Sequence, residues 1–259
     1  MSCGVPGGDS PGTPQCEEVV TLQIERTGEQ SGELSARVSE NGNFLRTARS
    51  EASLINYLET VITNRLARHF TNNVLIHCGV VAHNRSAVLL PGRSGAGKST
   101  TTTCLALDGF EYFTDELAVC SADGRRVYPF PKAPSVKAGG RRVLESRFLN
   151  PAPEFIFEAP EEGVTYVRPP VLPTQHTAKT GVLVKYVIVP QPPQGVDTRL
   201  EPADKADALK VMVGESLDLQ LKHEEGFQAL VNIVDQADCY TIRMGDARVG
   251  VNLIRELVT

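Results

Sequence analysis

The sequence predicts an α/β protein: a phosphate-loop core with a mixed sheet, preceded by a small α+β extension. Three observations carry that expectation. Gly92-Arg93-Ser94-Gly95-Ala96-Gly97-Lys98-Ser99 satisfies every defined position of GxxxxGK[ST], with the apolar run Ala87 to Leu90 before it and the helix-forming stretch Thr100 to Leu107 after it. Strand-like and helix-like periodicities then alternate toward the C-terminus. The 259 residues, 41% of them hydrophobic, suffice for one large core.

Residues 1–16 are rich in Gly, Pro and Ser and poor in bulky apolar side chains, so a disordered tail is expected there. Residues 17–72 form the expected extension. In it, Glu18 to Ile24 and Glu33 to Val38 read as strands about a Gly-containing turn. Ser50 is placed to cap a helix whose Leu54, Ile55, Leu58, Val61, Ile62, Leu66 and Phe70 recur at i, i+3, i+4, a stripe expected to be core.

Residues 73–259 form the expected catalytic unit. Val74 to Ala82 and Ala87 to Leu90 read as strands joined at His83-Asn84-Arg85. Asp108-Gly109 ends the loop helix and Glu111 to Thr114 is a short strand. Leu117 to Cys120 and Arg126 to Phe130 make a hairpin, because Asp123-Gly124 supplies the positive φ of a tight turn. Nine prolines from Pro129 to Pro173 predict a long, partly irregular stretch over the active face. Gly181 to Val189 is a strand, Pro190 to Pro202 a surface loop, and Ala203 to Val213 and Glu224 to Asp235 are helices. Cys239 to Met244 is a strand, and Asp246 caps a last helix carrying Val249, Val251, Leu253, Ile254 and Leu257.

Each residue type in the loop has a physical task. The glycines let successive backbone N–H groups turn inward around a phosphate, Lys98 supplies a point charge between β and γ oxygens, and the Ser99 hydroxyl can ligate Mg²⁺. Thr100 opens a helix whose positive end faces the phosphates. Seventeen positions beyond Lys98, Asp115 and Glu116 end a strand. Adjacent carboxylates there can divide two jobs, one toward an acceptor hydroxyl and one toward the metal, and Asp115 as well as Glu116 is a candidate metal ligand.

A formal net charge of −5 with no long Lys/Arg block argues against nucleic acid or an anionic membrane as the main partner. Arg125-Arg126 and Arg141-Arg142 read as solvated turn residues. No apolar run approaches a spanning helix and no signal pattern opens the chain, so a soluble, cytoplasmic protein is expected. The six cysteines (Cys3, Cys16, Cys78, Cys104, Cys120, Cys239) lack metal-ligand spacing, which predicts free thiols without disulfides or structural zinc.

Leu75-Ile-His77-Cys-Gly79, the loop Gly92 to Ser99, and Phe113-Thr-Asp115-Glu116-Leu-Ala-Val119 together resemble the catalytic core of the HPr kinase/phosphorylase family, more closely its HPr-kinase-related branch. Phe130 to Lys137 and Gly226 to Asp246 extend the resemblance. It implies a phosphoenolpyruvate carboxykinase-like, HPr kinase C-terminal-like P-loop core and an ATP- and Mg²⁺-dependent serine kinase. It also implies that Asp115 accepts the hydroxyl proton, Lys98 clamps the γ-phosphate, Ser99 ligates Mg²⁺, and His77 lies near the transferred phosphate. Glu116 stands where the family usually has a second Asp, so metal or supporting duty is implied for it. The family's E-x-R-G signature has no match, and Glu145, Glu158, Glu161 and Glu162 lie in other contexts, which implies kinase activity without efficient phosphorylase activity.

The implied acceptor is a Ser of a peptide or small protein, by resemblance a ribosomally made precursor peptide such as that of a lasso peptide. Two alternatives stay open: a small-molecule hydroxyl kinase, and an ATP-binding switch that hydrolyses without transfer. Lys132, Lys137, Arg141, Arg142 and Arg168 are candidates for binding an acidic peptide or neutralising phosphate. Family members are hexameric, yet the N-terminal part of this chain does not match theirs, so a homo-oligomer is left open.

Overall fold

The computed structural model describes residues 21–28, 35–130, 132–147, 156–159, 163–191 and 197–259. Three antiparallel strands come first, β1 (Leu22–Gly28), β2 (Ser35–Glu40) and β3 (Asn43–Ala48), in that spatial order. The third exceeds the sequence expectation, although its signal is present: Asn41 (φ 49°) and Gly42 (φ 81°) make the turn, and Asn-Gly is the pair most suited to a two-residue hairpin. Residues 1–16 lie outside the described residues, as do parts of both strands as the sequence predicts them.

α1 (Glu51–Ala67) starts as expected, with the Ser50 hydroxyl accepting from Ser53 N at 3.1 Å. Its apolar stripe is not core. Ile55, Ile62 and Leu66 are 40%, 47% and 43% exposed, and Ala52 is the buried residue of the helix. At its ends, Ala52 packs with Tyr166, and Ala67 with Phe70 beside Leu75 and Leu117.

β4 (Asn73–His83) and β5 (Ser86–Pro91) pair antiparallel through the predicted turn, where Asn84 and Arg85 both take positive φ. α2 (Lys98–Leu107) follows, then β6 (Glu111–Thr114), and the hairpin β7 (Leu117–Ser121) with β8 (Arg126–Tyr128). The proline-rich stretch is more regular than expected. β9 (Ser135–Lys137), α3 (Ala138–Arg147), β10 (Ile156–Ala159) and β11 (Val164–Val167) occupy it, with the strands in the order β10-β11-β9. Pro134 stands just before β9, and Pro169 and Pro170 just beyond β11, which leaves the ladder N–H groups of residues 135–137 and 164–167 intact.

α4 (Gln175–Thr180) leads into β12 (Val182–Gln191). β13 (Arg199–Pro202) corrects the expected loop, since Arg199 to Pro202 pairs antiparallel with a later strand. α5 (Lys205–Glu215), α6 (Leu219–Gln236), β14 (Asp238–Arg243) and α7 (Ala247–Val258) complete the chain, with Asp246 capping α7 through Arg248 N at 2.9 Å.

The eight-stranded sheet runs β13-β14-β12-β5-β4-β7-β8, with β6 also on β4. It is mixed: β12 is parallel to both β5 and β14, while the β4 pairings are antiparallel. Alternation along the strands separates two cores. Ile76, Cys78, Val80 and Leu89 face α5 and α6 through Met212, Leu230 and Ile233. Val81, Val88 and Leu90 face α2 and α7 through Leu105, Val251 and Ile254. Arg255 of α7 pairs with Asp108 at the end of α2, its Nε 2.8 Å from Oδ2, so the loop helix is anchored at its far end.

The β7–β8 turn is fixed from below. Gly124 has φ 72°, Gln236 Nε2 donates to its carbonyl at 3.0 Å, and a Cβ built there would overlap the Ala229 carbonyl of α6. Gly124→Ala should therefore lower stability by about 2–4 kcal/mol, combining left-handed strain with backbone overlap. Urea unfolding measures it; a loss under about 1 kcal/mol would mean that α6 shifts freely.

Candidate functional site

The loop Gly92 to Ser99 sits where β5 meets α2, so the sheet aims the chain into the cradle and the helix N-terminus closes it. Gly95 (φ 85°) and Gly97 (φ 98°) take the left-handed values that turn backbone N–H groups toward a common point. Arg93, Ser94 and Gly95 are exposed, whereas Gly92 and Ala96 are buried. Ala96 N donates to Arg93 O at 3.1 Å, and Thr101 N to Gly97 O at 2.8 Å. Thr102 and Thr103 return their hydroxyls to Lys98 O and Ser99 O, and the Thr100 side chain stands half-buried beside Ser99.

Lys98 is 6% exposed and its ammonium donates to Gly92 O, spanning the mouth of its own loop. Burial lowers its pKa against the opposing pull of Glu215, Cys78 and Asp115. Glu215, at the end of α5, lies 4.0 Å from the ammonium and 3.0 Å from His77 Nδ1. The segment after α5 runs beside the first half of β4, with Leu217 N donating to Leu75 O at 2.9 Å and Leu75 N to Asp218 Oδ1 at 3.2 Å. That pairing delivers Glu215 to the site from 138 positions beyond His77. Its sequence context, a helix end, carries no chemical signature.

Asp115 follows β6 and is 4% exposed. Its Oδ1 lies 3.2 Å from the Tyr112 hydroxyl, which also reaches Lys132 O at 2.7 Å, and its Oδ2 accepts from Ser135 N at 3.3 Å. Burial pushes its pKa up to about 6; the charge of Lys132 pulls down and that of Glu116 pushes up. Glu116 is half exposed and binds the Lys132 ammonium. Lys132 also lies 3.6 Å from Glu59 of α1. Burial raises the Glu59 pKa, Lys132 opposes it, and the carboxylates of Glu116 and Asp115 add to the rise.

The structure thus brings together Lys98, Asp115, Glu116 and His77, and adds Glu215, Glu59, Tyr112 and Lys132. Lys137 and Arg142 are exposed at the start of α3, and Arg168 is exposed beyond β11. Glu161 and Glu162 lie outside the described residues, and nothing is described of the side chains of Glu145 and Glu158. Among the described residues no group of three or more His, Cys, Asp or Glu is placed to hold a metal. Mg²⁺ on a nucleotide needs fewer protein ligands than that, because phosphates and waters supply most of its oxygens. Ser99 at the helix start and Glu116 at the strand end are the hard-oxygen donors that fit, Glu116 on release from Lys132.

Cys78, Cys104, Cys120 and Cys239 are free and buried among the described residues. Burial lifts the thiol pKa of Cys104 and Cys120 to about 12, so neither is a nucleophile at neutral pH. No helix among the described residues is long and apolar enough to cross a membrane.

No protein-family model matches the chain. It is 34% identical over 79 residues to the HPr kinase/phosphorylase of Malacoplasma penetrans (strain HF-2). The match covers 30% of this chain and 25% of that protein, so it spans about a quarter of the length of the curated relative and marks a distant, family-level relationship.

Proposed function

We propose that the chain is an ATP- and Mg²⁺-dependent kinase that transfers a γ-phosphoryl group to a hydroxyl, in the first place a Ser of a peptide or small protein. The observation that carries this is a buried carboxyl, Asp115, raised to about 6 and electrostatically coupled to the loop lysine Lys98. A base of that strength is ionised at neutral pH yet avid enough to take a proton as the acceptor oxygen bonds to phosphorus. We assign the core to the phosphoenolpyruvate carboxykinase-like, HPr-kinase-related type, with the catalytic unit over residues 73–259 and the extension over 17–72.

The acceptor O–H proton passes to Asp115, the oxygen forms its bond to the γ-phosphorus, and the bond from that phosphorus to the β–γ bridging oxygen breaks, releasing ADP. Phosphoryl transfer asks little covalent help of the protein, so alignment and charge neutralisation do most of the work. Lys98 leaves Gly92 O to meet the β and γ oxygens, and Gly95 and Gly97 present backbone N–H groups to them. Ser99 and Glu116 would hold Mg²⁺, which supplies charge neutralisation on the phosphates when bound. Glu215 holds His77 in one orientation beside the loop. Without an E-x-R-G carboxylate, forward transfer is expected to dominate over phosphate removal.

Labelled ATP with Mg²⁺, offered to Ser-containing peptides and in parallel to small hydroxyl metabolites, tests this. Label on peptide Ser is the expected result. Label on metabolites alone would make the chain a small-molecule kinase, and free phosphate alone would make it an ATPase.

A further inference from the structure

Four residues of the apolar stripe that the sequence assigns to the core, Ile55, Leu58, Ile62 and Leu66, instead line an open groove. Ile55, Ile62 and Leu66 form one wall, Pro129 and Phe130 the other, around a cavity of about 480 Å³, a size typical of sites that take small ligands or several side chains. Exposed apolar side chains gathered in one groove, rather than scattered singly, mark an interaction surface. Its polar end is Glu59 and Lys132. Lys132 belongs to both the groove and the candidate site: its ammonium binds Glu116, and its carbonyl takes the Tyr112 hydroxyl that also reaches Asp115.

We propose that this groove docks the acceptor peptide, taking one or two bulky apolar side chains (Leu, Ile, Met or Phe) from the chain that carries the phosphorylated hydroxyl. The inference deepens the kinase assignment above and rests on it. Continuity identifies the occupant. The Tyr112 hydroxyl lies 2.7 Å from the carbonyl of Lys132, at the polar end of the groove, and 3.2 Å from Asp115 Oδ1, so a peptide with its hydroxyl at Asp115 passes directly by this end of the groove. At about 3.3 Å per extended residue, the anchor falls within about five residues of the acceptor. Residues 1–16 offer Met1 and Val5 as their larger aliphatic side chains, a poor match for a groove of this size. An apolar anchor gives affinity while the Lys132–Glu59 end fixes register, which divides recognition between burial and charge.

The test uses immobilised full-length protein with Mg²⁺ and a non-hydrolysable ATP analogue, and a library of short synthetic peptides with one fixed Ser and random flanks. Captured peptides should be enriched about tenfold in Leu, Ile, Met or Phe at one or two positions, the factor that burying one more apolar side chain supports. Ile62→Glu should abolish the enrichment while leaving analogue affinity within about twofold; Ile55→Glu is the second variant, and both positions are exposed enough to accept the charge. No enrichment, or enrichment unchanged in both variants, overturns the proposal. Sedimentation showing a dimer that Ile62→Glu dissociates would assign the groove to a second copy. Transfer to Ser is read separately: capture with enrichment but without transfer upholds the groove and sinks the kinase assignment, whereas transfer without apolar preference does the reverse.

Discussion

Asp115→Asn is expected to abolish phosphoryl transfer while making the ligand-free protein more stable at neutral pH. Removing a positioned general base costs about 10²–10⁴-fold in rate. The stability effect has the opposite sign because the carboxyl is raised from 3.8 to about 6 by burial. A carboxyl whose folded pKa exceeds its unfolded one favours the native state only while protonated. Its contribution is complete below pH 3.8 and is lost as pH rises toward 6, leaving a cost of roughly 3 kcal/mol at pH 7 to 8. Asparagine is neutral throughout, keeps an oxygen for one of the two partners, and gives up about 1 kcal/mol for the other. The net gain is about 2 kcal/mol above pH 7, shrinking to nothing near pH 4.

Urea midpoints of the two proteins across that range report this group together with its coupling to Glu59 and Lys132, since titrations remote from it cancel in the difference. In wild type, the same ionisation should make kcat/KM fall about tenfold per pH unit below about 6. If Asp115→Asn is less stable than wild type at every pH, the carboxyl is not the desolvated group described above. If it turns over normally, another residue takes the proton.

Local features of the fold were legible and distant ones were not. The loop, its flanking strand and helix, the β4–β5 turn and the Asp246 cap are written within a few neighbouring residues, and each appears where its residue types require. The stripe on α1 has a clear period, yet period reports only that one face is apolar, not that anything covers it. β9 to β11 run against the irregularity that proline density suggests, because Pro134, Pro169 and Pro170 stand beside the ladders and not within them. Asn41-Gly42 is the local signal for β3, since Asn-Gly turn chemistry calls for a strand on each side of it.

Within the site, Lys98, Ser99, Asp115 and Glu116 follow from motif and spacing. Glu215 and Glu59 do not. Each reaches the site by a pairing across more than fifty positions, Glu215 through the strand-like contact of Leu217 with Leu75, Glu59 through Lys132. Neither helix carries a local signal for it, and only the folded chain sets a carboxylate beside the loop lysine.

Lys98→Met should remove activity without removing the fold, which separates the charge of this side chain from its packing. The ammonium is 6% exposed and burial already lowers its pKa, so the ligand-free protein holds the charge at a cost that the Gly92 carbonyl and Glu215 offset in part. Methionine has a similar unbranched stem and no charge, so unfolding by urea should shift by less than about 1 kcal/mol. Glu215 keeps His77 as its partner at 3.0 Å and is not left alone. The proposed transfer has no such compensation, because the transferring phosphoryl group would gather negative charge that the ammonium meets once it leaves Gly92 O. Loss of one preorganised charge of this kind costs about 10²–10³-fold in kcat, and affinity for MgATP falls with it. Lys98→Arg should fail almost as badly, since a planar guanidinium does not fit a space shaped for a point charge beside Gly92. Calorimetry with MgATP and single-turnover transfer report the two losses independently. A Lys98→Met protein within about tenfold of wild type in kcat/KM would mean that the loop cradles phosphate by backbone alone, and that the site's essential cation lies elsewhere.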